Sequence, residues 1–333
     1  MVDLSPDMVR VSIGTVGVLG LKEIRLDVPP TTAYLMTYTE GSCLANCAFC
    51  SQARECNSER DHLSRVIWPE YSWDSVLEGF KSPSMDVLER VCIQVINYPG
   101  FIVDVLDMVH DLRAITGLPI SVDTCPVSRE DMKQLKNAGV QRVNIPMDAA
   151  TQKLFDNVKG RNVGGPYRWE THLEAISRAV DIFGEGMVGS NLIIGLGETE
   201  EEAVALIQAL SDLNVNTALF AFTPLRGTKL EKLSQPPIES YRRVQLARYL
   251  IDRGTTRMKD MTFKDGRIMD FGVENIRKHL SDGSAFQTSG CPGCNRPFYN
   301  EKPSGPFYNY PRKLSREEVS EILDALSSGN SKL

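Results

Sequence analysis

Nowhere in its 333 residues does the chain hold an apolar run approaching the roughly 20 that cross a bilayer as a helix, so no transmembrane helix is expected. The opening Met-Val-Asp-Leu-Ser-Pro-Asp lacks the basic-then-apolar pattern of a secretory signal, and the expected location is the cytoplasm. No segment repeats and none is of low complexity, which removes solenoids and arrays. Positive charge is not in excess either: the formal net charge is −6, which argues against nucleic acid as the main partner. What is present, 42% hydrophobic and 24% charged residues, suffices to bury the core of one large α/β domain.

The order of segments selects the fold class. Apolar, β-branched runs at Thr32 to Tyr38, Val91 to Ile96, Pro119 to Asp123, Arg142 to Ile145, Met187 to Ile194, Thr217 to Phe222, Met261 to Lys264 and Ala285 to Thr288 read as eight short buried strands. Between most of them lie helical stretches with apolar residues three or four apart, such as Leu173, Ile176, Val180 and Phe183. Capping pairs mark helix starts at Ser128 with Asp131, Thr199 with Glu202, and Ser315 with Glu318. Such alternation builds a parallel sheet that eight units can close into a (βα)8 barrel of the TIM type, with ligands at the C-terminal strand ends. If the last two strands fail, a six-unit partial barrel results and the site does not move. Residues 1–30 read as an N-terminal cap, 31–290 as the barrel, and 291–333 as a C-terminal tail and helix.

Eight cysteines in a reducing compartment favour metal ligands over disulfides. Three of them fall in Gly-Ser-Cys43-Leu-Ala-Asn-Cys47-Ala-Phe-Cys50, directly after the first strand. This C-x3-C-x2-C spacing can hold three irons of a 4Fe-4S cluster and leave the fourth open to a substrate. Zinc sites favour C-x2-C pairs, which a third cysteine at this offset fits poorly.

With Phe49 as the aromatic residue before its third cysteine, the loop resembles that of the radical S-adenosylmethionine (SAM) enzymes. The resemblance implies that the open iron chelates SAM, that one electron cleaves it, and that a 5'-deoxyadenosyl radical abstracts hydrogen. It also places SAM ligands at strand ends. The loop after the second strand carries Asn97, the third strand Ser121 and Asp123, and the fourth Asn144 and Asp148, an Asn-x3-Asp segment similar to that of biotin synthase-like enzymes. Asp148 is the residue expected on a ribose, since a carboxylate accepts two hydroxyl hydrogen bonds. Ser190 and Gly195 belong to a fifth strand leading into Gly195-Leu196-Gly197-Glu198-Thr199, a run similar to the adenine shelf of that branch.

A second motif, Ser289-Gly290-Cys291-Pro292-Gly293-Cys294-Asn295-Arg296-Pro297, ends in a C-x2-C metal knuckle. Alone it is open to a zinc site or a redox thiol pair. Cys56 lies on a polar loop near the first motif and is the expected third ligand of an auxiliary cluster with Cys291 and Cys294, with Ser289 and Arg296 as neighbours and a fourth ligand unassigned. Cys92 reads as core. In combination these motifs most resemble the archaeal-type two-component lipoyl synthases, from about Ala33 to Pro311. That resemblance implies a second 4Fe-4S cluster consumed as sulfur donor, an octanoyl or mercapto-octanoyl chain on a lipoyl domain or H-protein as substrate, a related radical SAM partner subunit, and reduced ferredoxin or flavodoxin as electron donor. The alternatives are a biotin synthase-like sulfurtransferase and a non-sulfur mutase or methylornithine-type enzyme. The aromatic tail residues Phe298, Tyr299, Phe307, Tyr308 and Tyr310 read as packing against the barrel rather than as a docking surface.

Overall fold

The structure, a computed structural model, describes residues 6–328. Its main sheet is built from β1 (Met8–Val11), β2 (Thr32–Thr37), β5 (Glu70–Ser72), β6 (Arg90–Gln94), β7 (Ile120–Asp123), β8 (Val140–Asn144), β9 (Val188–Ile194) and β10 (Asn216–Ala221). A small hairpin, β3 (His62–Leu63) and β4 (Val66–Ile67), precedes β5. The strand order is β10-β9-β8-β7-β6-β2-β1-β5, with the run from β2 to β10 parallel and β1 antiparallel to both its neighbours. Within the N-terminal segment Met8–Val11 extends the sheet, while Ser12, Ile13, Gly14, Leu26, Val28 and Pro30 line the cavity enclosed by the parallel strands. Residues 1–5 and 329–333 of the expected cap and tail lie outside the described residues.

The helices are α1 (Ile13–Val18), α2 (Trp73–Gly79), α3 (Phe101–Ile115), α4 (Arg129–Ala138), α5 (Gln152–Val158), α6 (Trp169–Phe183), α7 (Glu200–Asp212), α8 (Ile238–Asp252), α9 (Ile276–His279) and α10 (Arg316–Ser328). Ser128 and Asp131 form a complete capping box at α4, as do Thr199 and Glu202 at α7. Ser315 and Glu318 exchange the same pair of bonds at the start of α10. No helix among the described residues is long and apolar enough to cross a membrane.

Pleat parity divides the parallel strands into a helix face and a cavity face. Leu35, Ile93, Val122, Val143 and Val188 pair across five strands as one buried row that joins the helix-packed core. The alternate residues, Tyr34, Met36, Cys92, Gln94, Ser121, Asp123, Asn144, Asn191, Ile193, Ala218 and Phe220, line a cavity of about 520 Å³.

Two expected strands are corrected. Met261 to Lys264 contributes β11 (Thr262–Lys264), which pairs only with β12 (Arg267–Asp270) in a local hairpin. Its turn is Asp265-Gly266, both at positive φ, the dipeptide that suits the twist of a two-residue hairpin. Ala285 to Thr288 is a short 3-10 turn, Ser284–Phe286, followed by a single bridge from Gln287 to Tyr310. The free edge of β10 is met by side chains instead: Leu219 N–H donates to Ser289 Oγ at 2.8 Å and Ala221 N–H to Asn300 Oδ1 at 3.3 Å. Six parallel strands thus form a partial barrel, and the tail closes its edge.

That tail also wraps α8, which explains why the helix is buried on nearly all sides. Arg242 Nη1 donates to the Tyr308 carbonyl at 2.6 Å, and the Tyr241 hydroxyl donates to Asn309 Oδ1 at 3.0 Å. Tyr308 packs edge-on against Tyr241. Tyr308 therefore serves packing.

Candidate functional site: two thiol groups on one cavity

The loop after β2 is held by backbone bonds. Leu44 N–H donates to the Asn97 carbonyl at 2.7 Å, Ala48 N–H to the Val158 carbonyl at 2.7 Å, and Cys50 N–H to the Cys47 carbonyl at 3.1 Å. These anchors set Cys43, Cys47, Phe49 and Cys50 into the cavity wall. Burial pushes the Cys47 thiol up and Cys50 to about 12, while the Lys159 ammonium pulls Cys47 the other way. A bound cation would reverse that balance, because a coordinating thiol is deprotonated outright. The donor set, three thiols without a carboxylate or imidazole among them, suits iron and sulfide.

Beside this loop lies a buried ion pair that the sequence reading did not find. Lys159 Nζ sits 2.7 Å from Asp148 Oδ2 and 2.6 Å from the Pro146 carbonyl, under the rings of Tyr167 and Phe155. Burial opposes the Lys159 charge, and Asp148 and Cys47 outweigh it, so its pKa ends raised. Asp148 adopts φ +63° and pairs across to Leu192, which turns its side chain into the cavity. Asn191 Nδ2 donates to Asp123 Oδ2 at 3.0 Å. Burial lifts Asp123 to about 6 against the hydrogen bonds of Asn191 and Asn144. Asp123, Asn144, Asp148 and Asn191 thus present acceptors and amides together at the strand ends.

Three expected SAM ligands lie off the cavity wall, and a fourth lines it beside the second thiol group. Ser190 has the opposite parity to Asn191. It is fully buried on the helix face, where Oγ donates to the Ile145 carbonyl at 2.9 Å and accepts from Met147 N–H at 3.1 Å. Asn97 is outside the cavity wall, its carbonyl taken by the cluster loop and its amide donating to the Tyr167 hydroxyl at 3.1 Å. Gly195, also outside the wall, holds φ +106° and donates its N–H to Glu198 Oε1 at 2.6 Å; a Cβ there would lie 2.8 Å from Pro236. Ser121 does line the cavity, but its hydroxyl accepts from Arg90 Nη1 at 2.8 Å and lies 3.6 Å from Cys291 Sγ, within the second thiol group.

That second group corrects the expected ligand set. Cys56 is not part of the cavity wall: its Sγ donates to the Gly227 carbonyl at 3.3 Å, and the thiol it influences is Cys50. The thiol nearest in the fold to Cys291 and Cys294 comes from the cavity face of β6: Cys92 pairs in register with Tyr34 and Ser121, whose hydroxyls lie against Cys294 and Cys291. Burial pushes Cys92 well up, and Cys291 and Cys294 add to that shift. Tyr34 Oη lies 3.2 Å from Cys294 Sγ and accepts from Arg296 N–H at 3.0 Å. Arg296 holds its guanidinium 4.0 Å from the centre of the Phe220 ring and donates to the Ser289 carbonyl at 2.6 Å. The alternation Val91-Cys92-Ile93-Gln94 carried the signal, since Cys92 shares the face of Gln94, not that of the apolar pair. Both thiol groups, Cys43/Cys47/Cys50 and Cys92/Cys291/Cys294, line the same cavity, whose remaining wall includes Met36, Leu63, Val66, Trp68 and Ile96.

Comparison with known proteins agrees with this geometry. Residues 39–210 match the family model described as the radical SAM superfamily. Biotin synthase from Persephonella marina is 27% identical over 201 residues, 59% of this chain and 56% of that protein, so the chain spans little more than half of this relative. Biotin synthase from Prochlorococcus marinus strain AS9601 is 24% identical over 298 residues, 86% of this chain and 79% of the relative. Among solved structures, methylornithine synthase is similar in fold, with a TM-score of 0.53 at 14% identity over 91% of this chain and 83% of that one. The FeFe-hydrogenase maturase HydG from Carboxydothermus hydrogenoformans gives 0.51 at 16% identity, covering 73% of this chain and 56% of the other.

Proposed function

Because the chain belongs to the radical SAM superfamily, we propose that it inserts sulfur into an octanoyl or mercapto-octanoyl chain carried on a lipoyl domain or H-protein. One observation carries this reading: two thiol groups face one cavity, and the wall beside them is apolar. When bound, a 4Fe-4S cluster with SAM at the first group supplies hydrogen abstraction from an unactivated carbon, and a cluster at the second supplies sulfur.

The chain's own residues supply position and dryness. Asp148, paired with Lys159, and the neighbouring Asn144, Asn191 and Asp123 offer hydrogen bonds to a nucleoside's hydroxyls. Ile193 and Phe220 line the same face, with the Arg296 guanidinium stacked on the Phe220 ring. Met36, Trp68 and Ile96 form a buried apolar cluster with Tyr34, and Leu63 and Val66 of the β3–β4 hairpin pack against it. A hydrocarbon chain laid along that wall displaces water and gains about 0.8 kcal/mol per buried methylene. Burial also keeps a reactive carbon from solvent.

A related radical SAM subunit and reduced ferredoxin or flavodoxin complete the proposal as partner and electron source. The test is anaerobic turnover of reconstituted protein with SAM, dithionite and an octanoylated lipoyl-domain peptide, reading deoxyadenosine and peptide mass together. A gain of one sulfur with deoxyadenosine supports the reading. Deoxyadenosine without added sulfur, on both the octanoyl and the mercapto-octanoyl peptide, overturns the substrate. The likeness to biotin synthases favours a second reading, sulfur insertion into a small free substrate, which the same assay separates by comparing carrier-bound with free substrates.

A further inference from the structure

The two thiol groups differ in what their sulfurs meet. In the first group the donors to sulfur are backbone N–H groups, as from Ala45 to Cys43 Sγ at 3.4 Å. In the second, each sulfur faces a side chain. Gln94 Nε2 donates to Cys92 Sγ at 3.1 Å, the Ser121 hydroxyl lies 3.6 Å from Cys291 Sγ, and the Tyr34 hydroxyl lies 3.2 Å from Cys294 Sγ. Tyr34 and Ser121 pair in register with Cys92 from the strands on either side, so the sheet itself spaces the row. Pleat parity turns the row, together with Gln94, into the cavity.

A sulfur bound to a cation carries no hydrogen and can only accept, which leaves each hydroxyl as the donor. Both hydroxyls are already polarised for that role. Tyr34 Oη accepts from Arg296 N–H at 3.0 Å, and Ser121 Oγ accepts from Arg90 Nη1 at 2.8 Å. Arg90 is buried, and its hydrogen-bond partners, Ser121 and Gln141 Oε1 at 2.8 Å, are both neutral; its Nε has none. Of the nearby carboxylates, Glu89 is exposed on the opposite pleat beside Gly293, and Asp123 is turned to Asn191. Arg142, in register with Ser121 on β8, is a second buried guanidinium with a neutral neighbour, Met187 Sδ at 3.7 Å. Buried cations satisfied by neutral groups favour negative charge beside them.

We propose that Gln94, Ser121 and Tyr34 form a donor set, one for each sulfur, that raises the reduction potential of a cluster held by Cys92, Cys291 and Cys294, with Arg90 acting through Ser121 as a positioning residue. Hydrogen bonds to the sulfurs help set such potentials, because they draw charge off the metal and so stabilise its more negative, reduced state. The use of the donor set rests on the sulfur-inserting reading above. A carbon radical that joins a sulfide dianion leaves a thiolate and one electron, and the irons beside that sulfide take the electron more readily when their thiolates are hydrogen-bonded.

The test is a spectroscopic redox titration of the reconstituted full-length chain with dithionite, run with and without SAM. The couple that responds to SAM belongs to the first group and the one that does not belongs to the second. Ser121→Ala and Tyr34→Phe each remove one donor and little volume. Each is expected to lower the reduced-to-oxidised ratio of the SAM-insensitive couple about tenfold at fixed potential, ~59 mV for one electron, and to leave the other couple in place. Arg90→Met, which keeps the Ser121 hydroxyl but removes the charge behind it, should shift the same couple in the same direction. Iron and sulfide at the parent content show that a variant holds both clusters. A SAM-insensitive couple unmoved in both Ser121→Ala and Tyr34→Phe, or both couples moved equally, overturns the donor set; loss of the second cluster in all three variants makes these side chains structural and overturns it too. A shift in Ser121→Ala with none in Arg90→Met removes Arg90 from the set. A parent protein with only the SAM-sensitive couple refutes the second cluster itself, which is a separate failure, and the shifts stand whether or not sulfur is inserted.

Discussion

The two thiol groups are assembled in opposite ways. Cys43, Cys47 and Cys50 sit on one loop, eight residues from end to end, fixed by local turns and by carbonyls of neighbouring strand-end segments. Cys92, Cys291 and Cys294 meet only because the tail crosses back over the sheet to lie against β6, the knuckle's Gly293 carbonyl accepting from Thr31 Oγ1 and Asn295 Nδ2 donating to the Pro29 carbonyl at 3.0 Å. The first is a property of a sequence motif, the second of a fold. The difference explains why spacing groups the first three cysteines, yet joins Cys56 to Cys291 and Cys294 where the fold brings Cys92 near them.

Substitutions turn this contrast into measurements. The largest effect is expected for Cys50→Ala, which should abolish SAM cleavage and remove about four irons per chain, read by deoxyadenosine formation and iron analysis. Cys92→Ala should lower iron and sulfide at the second group yet retain SAM cleavage; a protein that keeps its full metal content would return the knuckle to a two-thiol site. Lys159→Met leaves Asp148 buried without its cation and should lower unfolding stability by about 3–5 kcal/mol, the usual penalty for breaking a buried pair. If chemical denaturation shows under 1 kcal/mol, the pair is hydrated rather than buried.

Asp123 separates the groups by pH. Its pKa rises from 3.8 unfolded to about 6 folded, so between those values the folded state holds a proton that the unfolded state releases. Stability should therefore fall as pH rises from about 4 through 6, and Asp123→Asn should flatten that slope in urea midpoints. The smallest effect belongs to Cys56→Ala, expected to leave iron and sulfide content unchanged because its thiol serves the Gly227 turn. Loss of the second cluster in that variant would restore the assignment made from sequence spacing.

Much of the fold was legible because local and global signals agree. The six parallel strands follow their apolar runs within about two residues, and three capping pairs stand where the sequence puts them. The two failed strands show where apolar content alone misleads. Lys264-Asp265-Gly266-Arg267 states a hairpin turn, which outweighs the β-branched run before it. The Ala285 segment is apolar because it packs against α8, and the hydrogen bonds of the β10 edge go to Ser289 and Asn300 side chains, which strand patterns do not register. At the site, alternation along β6 and β9 would have put Cys92 and Asn191 in the cavity and Ser190 in the core. Lys159 carried no such signal, since it caps the C-terminus of α5 and reaches back past that helix to Asp148.

The tail's late return also sets an order for maturation. Asn97, Val158 and Val163, which seat the Cys43 loop, have all been made when roughly half the chain is still to be synthesised. Cys291 and Cys294 leave the ribosome later, after α8 and the edge strand they lie over. Domains that fold from the N-terminus as they emerge would offer the first thiol group to iron well before the second exists. An interrupted chain would carry Cys43, Cys47 and Cys50 without Cys291 and Cys294.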